Sequence, residues 1–366
     1  MDYSLLLAAL ALFYVGAILY LANQADLEQS APRVDAAPYS LAEALARRQR
    51  ELLLRWMLYG MVSMNLVFAI ALAQALIVGQ AGGLRADTAL PPVDVGAGTA
   101  ALIAALACSL GGWRLVGSPM ARRRLKRLTG TRSLYNPDSS VHTAASVLAL
   151  TFLAATFTQL ALSGGVSGLA SNLEAGGVSV NDVLFQAVLL TAAALLGVGL
   201  AIRRTPTQVV ERLGLRLPTP GDWGWGTAVG LGLYLALIAM VTVWALLVPP
   251  EQMAEQSAAA EQIARAFSTL PAAFLLALTA SVSEEILFRG ALQPVFGLPL
   301  TSVFFALVHM QYALTPAAFI ILVVALGLGW LRQRQSTSSA IIAHFIYNFV
   351  QLAVAILAAG VLTGRP

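Results

Sequence analysis

The sequence predicts an all-α, polytopic membrane bundle of about ten transmembrane helices, eight to ten being the range its pattern allows. Three observations carry that expectation. Only 11% of the 366 residues are charged, whereas a soluble domain is roughly 25% charged. Mean hydropathy is +0.76, and the shortage of charge runs along the whole chain, so its length does not divide into soluble domains. The apolar residues also come in long runs without the period-two alternation of an outer-membrane barrel.

Apolar stretches lie near 4–22, 55–79, 97–113, 142–163 and 182–202, then near 223–248, 268–288, 296–312, 315–331 and 339–361. The first is read as a span and not a signal peptide: Met1, Asp2 and Tyr3 supply no basic leader and no small-residue cleavage site follows. Three water-exposed segments interrupt the series. Residues 23–54 are polar and end in an arginine-rich helix start. Residues 114–141 are the most basic and close on Tyr135-Asn136-Pro137-Asp138, a turn signal. Residues 249–266 open with Pro249-Pro250 and predict a short exposed helix.

Gly226 and Gly230 have the small-xxx-small spacing that lets membrane helices approach closely. No strand precedes them, so they are not a nucleotide loop. Pro218, Pro220 and Gly221 mark a boundary between helices of unassigned role at 1–217 and a second unit at 223–362.

Charge tests the count. If the stretches alternate across the membrane, all but Arg85, Arg265 and Arg365 of the 22 basic residues fall on one side. Positive charge marks the cytoplasm, so both termini are expected outside. A net charge of +4 needs no nucleic-acid partner, because arginines at helix ends meet lipid head groups. Cys108 is the only cysteine; it allows no internal disulfide and is expected to fill core.

Ionisable groups inside a bilayer are costly, and each needs an explanation. Of 18 acidic residues only Glu284 and Glu285 lie well inside an apolar stretch. His309 and His344 lie within stretches too, while His142 begins one and reads as a packing residue. Glu285 and Arg289, four apart with the acid first, are placed to neutralise each other on a helix. Glu284 points about 100° away from its neighbour and is expected to face a cavity as a general base. Phe305 with His309, and His344 with Asn348, are also four apart and share helix faces. If these helices converge, Glu284, His309, His344 and Asn348 surround one hydrated pocket with a base, two imidazoles and an amide donor. Amide hydrolysis needs an activated water and donors aimed at a developing oxyanion. An eighth helix running straight across would carry His309 to a different depth; a tilted or short helix, or a turn after Gly297-Leu298-Pro299, would bring it level.

These residues spell Glu284-Glu285-Ile286-Leu287-Phe288-Arg289, then Phe305-Ala306-Leu307-Val308-His309, then His344-Phe345-Ile346-Tyr347-Asn348. In that order they resemble the EExxxR, FxxxH and HxxxN motifs of the CAAX protease and bacteriocin-processing family, membrane peptidases that include the Rce1-type prenyl-protein endopeptidases. The resemblance covers roughly 223–360 and leaves the first five helices unexplained. It implies an intramembrane endopeptidase in which Glu284 activates water with His309. It further implies that His344 and Asn348 stabilise the oxyanion, that Glu285 and Arg289 orient the base, and that Phe305 packs beside the histidine. The implied partners are a peptide or protein substrate at the membrane and the lipid bilayer. The implied location is a cell membrane, and a single lysine among the 22 basic residues suggests a bacterial one.

Other readings stay open. Glu284, His309 and His344 could supply a two-histidine, one-carboxylate zinc site, although Asn348 suits an oxyanion better than zinc, and no cofactor is the expectation. Gly165-Val166-Ser167-Gly168 resembles the GxSG signature of rhomboid serine proteases but is expected in a flexible outer loop. HExxH is missing. A transporter would show inverted repeats or broken helices in matching halves, and none stands out. A non-catalytic scaffold or immunity protein would be expected to have lost a motif residue.

Overall fold

The computed structural model describes residues 3–30, 40–80, 93–130, 132–309 and 317–363. Helices make up nearly all of them, with no strand among the described residues beyond one isolated bridge, Leu200 to Arg204. Among the described residues nine helices are long and apolar enough to cross a membrane, making this a multi-pass membrane protein.

The leading half comprises α1 (Tyr3–Ser30), α2 (Leu41–Gln80), α3 (Val95–Gly117), α4 (Pro119–Thr129), α5 (Ser140–Leu162), α6 (Gly165–Gly176) and α7 (Val180–Gly197). Ile18 and Ala22 of α1, Leu58 and Val62 of α2, and Ala144 and Val147 of α5 form its main core. Cys108 is buried against Ala69, Ala105 and Ala154, as core filler would be. Two loop expectations are corrected. The basic 114–141 segment contains the helix α4, because Ser118 accepts a hydrogen bond from the Ala121 N–H and Pro119 occupies the first turn. The Gly165–Gly168 stretch starts α6 and is not a flexible loop. It packs Leu169 and Ala170 against Ala259 of α10 (Pro250–Ala266), the helix expected after Pro249-Pro250, which is therefore only partly exposed.

The trailing half begins after the short α8 (Pro206–Arg212) with α9 (Pro220–Leu247). Thr219 and Asp222 form a capping box at its start. Gly226 and Gly230 meet α14 (Thr337–Thr363) as their spacing predicts: a Cβ on Gly230 would lie 2.6 Å from the Ala343 carbonyl.

Next come α11 (Leu270–Glu285), a π-helix (Ile286–Leu292), α12 (Gln293–Val308) and α13 (Ala317–Arg334). Residues 270–308 form one apolar run, which is why nine spans stand where ten stretches were read. That run is not one rod. Glu284 and His309 would be roughly 37 Å apart on a straight helix, yet their side chains are 3.7 Å apart. The chain therefore doubles back between them. The reversal is at Gly297, whose φ of 79° and ψ of 165° break the helix in a region essentially reserved for glycine. Of the alternatives left open by the sequence, the structure shows a turn, placed at Gly297 itself rather than after Pro299, and it brings the His309 side chain beside Glu284.

Candidate active site

The π-helix begins one residue after the two acids. An i→i+5 turn is rare and often marks functional sites; here the Gln293 N–H donates to the Phe288 carbonyl, five residues back. Arg289 sits inside this widened turn and still reaches Glu285, with Nε 3.2 Å from Oε2. That is an ion contact rather than an aligned hydrogen bond, since neither atom meets hydrogen-bond geometry. Arg289 Nη2 donates to the Ala325 carbonyl of α13 at 3.3 Å, and the guanidinium lies 4.5 Å from the Phe305 ring centroid.

Glu285 is committed twice. Its other oxygen accepts from His344 Nδ1 at 2.9 Å. An ionised carboxylate only accepts, so Nδ1 carries the proton. Glu285 and Arg289 are 0% and 1% exposed, forming a sealed pair with His344 as third member.

Glu284 is different. Its side chain keeps 14% exposure and that of His309 keeps 18%. Glu284 Oε2 is buried with no hydrogen-bond partner among the described residues and faces His309 Nε2 at 3.7 Å. His309 Nδ1 lies 2.6 Å from the Phe305 carbonyl, which can only accept, so Nδ1 is the donor. A neutral His309 therefore turns its Nε2 lone pair toward Glu284. The pairing of Glu285 with Arg289 expected from their spacing is present.

Phe305 links the two halves of the site. Its ring lies 4.3 Å from the His309 ring and 6.2 Å from the His344 ring, centroid to centroid. Phe288 packs edge-on against it at 4.8 Å. Asn348 sits one turn beyond His344 on α14, where its Oδ1 accepts from Gln351 Nε2 at 3.4 Å. His142 lies apart, stacked on Tyr135 and accepting the Asn136 N–H.

Sequence reasoning missed Gln293, whose Nε2 donates to the Gly329 carbonyl at 2.8 Å and ties the π-helix to α13. An amide in an apolar run was the available signal. As for a metal, no three His, Cys, Asp or Glu side chains gather as a ligand set among the described residues. His344 commits its Nδ1 to Glu285.

Residues 266–350 match the family model described as type II CAAX prenyl endopeptidase, Rce1-like. The matched stretch contains all three motifs and every residue of the site. No curated protein and no solved structure matches the chain.

Proposed function

From the Rce1-like domain at residues 266–350 as premise, we propose that this protein is an intramembrane endopeptidase acting on membrane-proximal or lipidated protein substrates. The observation that carries the proposal is the orphaned Glu284 Oε2 facing His309 Nε2, an acceptor when the imidazole is neutral, at 3.7 Å. Both are acceptors. A water held between them donates one hydrogen to each and turns its oxygen lone pair outward. Attack on a scissile carbonyl carbon then passes the water proton to Glu284. Collapse of the tetrahedral intermediate breaks the C–N bond, and that proton goes to the leaving amine.

Charge developing on the carbonyl oxygen needs a donor. With Nδ1–H held by Glu285, His344 donates from Nε2 only when both ring nitrogens carry a proton. Asn348, one turn along the same helix, supplies an amide donor from Nδ2, since its bond with Gln351 uses Oδ1. Arg289 fixes Glu285 and so the ring orientation of His344. The reaction so written uses no metal. We place the site on the arginine-rich, cytoplasmic side, with both termini outside.

The test is Glu284→Gln in reconstituted membranes, with substrates found by comparing peptides released by active and variant protein. A loss of about 10²–10⁴-fold is expected at unchanged thermal stability, because the orphaned oxygen makes no protein hydrogen bond. Unchanged proteolysis would sink the mechanism and favour the non-catalytic scaffold or transporter reading. Stoichiometric zinc in purified protein, lost on His309→Ala, would replace it with the metal-dependent version.

A further inference from the structure

Away from the candidate active site, four arginines gather where α7 and α13 end and α8 lies between them. Arg203 and Arg204 follow α7, Arg212 closes α8 and Arg332 lies in the last turn of α13. All four are half-buried. Arg216 nearby has a carboxylate of its own, Asp222, at 2.9 Å. Among the described residues, the one carboxylate ion-paired with any of the four is Asp26, 3.5 Å from Arg203 Nη1.

The rest of their bonding is to backbone or missing. Arg204 donates to the Val198 carbonyl, and Arg212 Nη1 donates to the Gly290 carbonyl of the π-helix at 3.1 Å. Arg203 Nε and Arg332 Nε are buried with no hydrogen-bond partner among the described residues. Gly214 makes room for the Arg332 guanidinium, since a Cβ there would lie 2.2 Å from Nη2. The charges repel one another: burial first, then Arg204, Arg203 and Arg332, hold the Arg212 pKa down at about 10. Partly desolvated like charges with unused donors are unfavourable unless an anion joins them. Basic pockets between membrane helices at headgroup depth bind anionic headgroups.

We propose that Arg203, Arg204, Arg212 and Arg332 form a binding site for a phosphate oxyanion, presented by the headgroup of an anionic phospholipid. Such a group sits directly behind the π-helix, because Arg212 bridges from the site to the Gly290 carbonyl. The proposal does not depend on the peptidase reading.

Phosphatidylglycerol binding to the full chain in detergent is measured by native mass spectrometry, with thermal midpoints followed in parallel and inorganic phosphate as a second arm. One saturable lipid is expected, bound roughly tenfold more weakly by Arg332→Gln, while Arg123→Gln on the exposed side of α4 changes nothing. In anion-free buffer Arg332→Gln should keep or raise the midpoint, because it removes repulsion, whereas a merely structural arginine would lower it. Stabilisation by phosphate without lipid binding would keep the oxyanion site and assign it to a free anion. Equal anion responses in wild type and Arg332→Gln, equal losses in Arg123→Gln, or a lower anion-free midpoint for Arg332→Gln would each overturn the site.

Discussion

The buried pair between Glu285 and Arg289 makes a sharp energetic prediction. Both side chains are sealed, at 0% and 1% exposure, so removing one partner strands a charge where water cannot reach it. Breaking a buried pair costs about 3–5 kcal/mol. The contact is 3.2 Å long but poorly aligned, which places Arg289→Met near the lower end. Glu285→Gln should cost about as much, because Arg289 keeps its charge with only the Ala325 carbonyl as acceptor. The double variant Glu285→Gln/Arg289→Met removes both charges while the Gln Oε1 still accepts from His344 Nδ1, leaving the new amide N–H and the Ala325 carbonyl without their partners, a loss of about 1–2 kcal/mol. The singles together therefore exceed the double by about 4 kcal/mol or more, a large coupling. Arg289→Lys should lie between, about 1–2 kcal/mol below wild type, since a lysine keeps the charge but loses the planar stack on Phe305. Cys108 is a built-in reporter: it is 6% exposed and should react with a thiol-specific dye only on unfolding. Labelling across a denaturant series in detergent gives each free energy. If the double variant loses the sum of the two singles, the sealed-pair account is wrong.

Two further outcomes follow from the same geometry. Gly297→Ala should lower stability by about 1–3 kcal/mol from backbone strain, and by more if its Cβ, 2.5 Å from the Thr129 carbonyl, cannot be relieved; an unchanged Cys108 labelling midpoint would remove Gly297 as the point of reversal. Asp222→Asn should cost about 2–3 kcal/mol, because the buried carboxylate accepts from Arg216, Thr219, Ser336 and Ser339. Faster hydrogen exchange at the start of α14 checks it, and unchanged exchange would show that this hub does not hold α9 to α14.

How much of this was legible in advance depended on range. The helical bundle, the close approach at Gly226 and Gly230, and the contact of Glu285 with Arg289 were all readable, because each rests on burial cost or on spacing within one helix. Period alone could not show that Gly165–Gly168 is helical, since its glycines and serine read equally well as a loop. Nor could local spacing tell that two apolar stretches form a hairpin folded at Gly297, because the run is apolar on both sides of the turn.

The sequence by itself determined that this chain lives in a membrane and which few polar side chains are too expensive there to be accidental. Only the tertiary structure decided their partners: His344 with Glu285, His309 with Glu284, Arg289 with Glu285 and with the α13 backbone. The reason is physical. Desolvation acts on each residue alone and is written in its type and surroundings, whereas pairing depends on where distant helices cross, and that is set by the packing of the whole bundle.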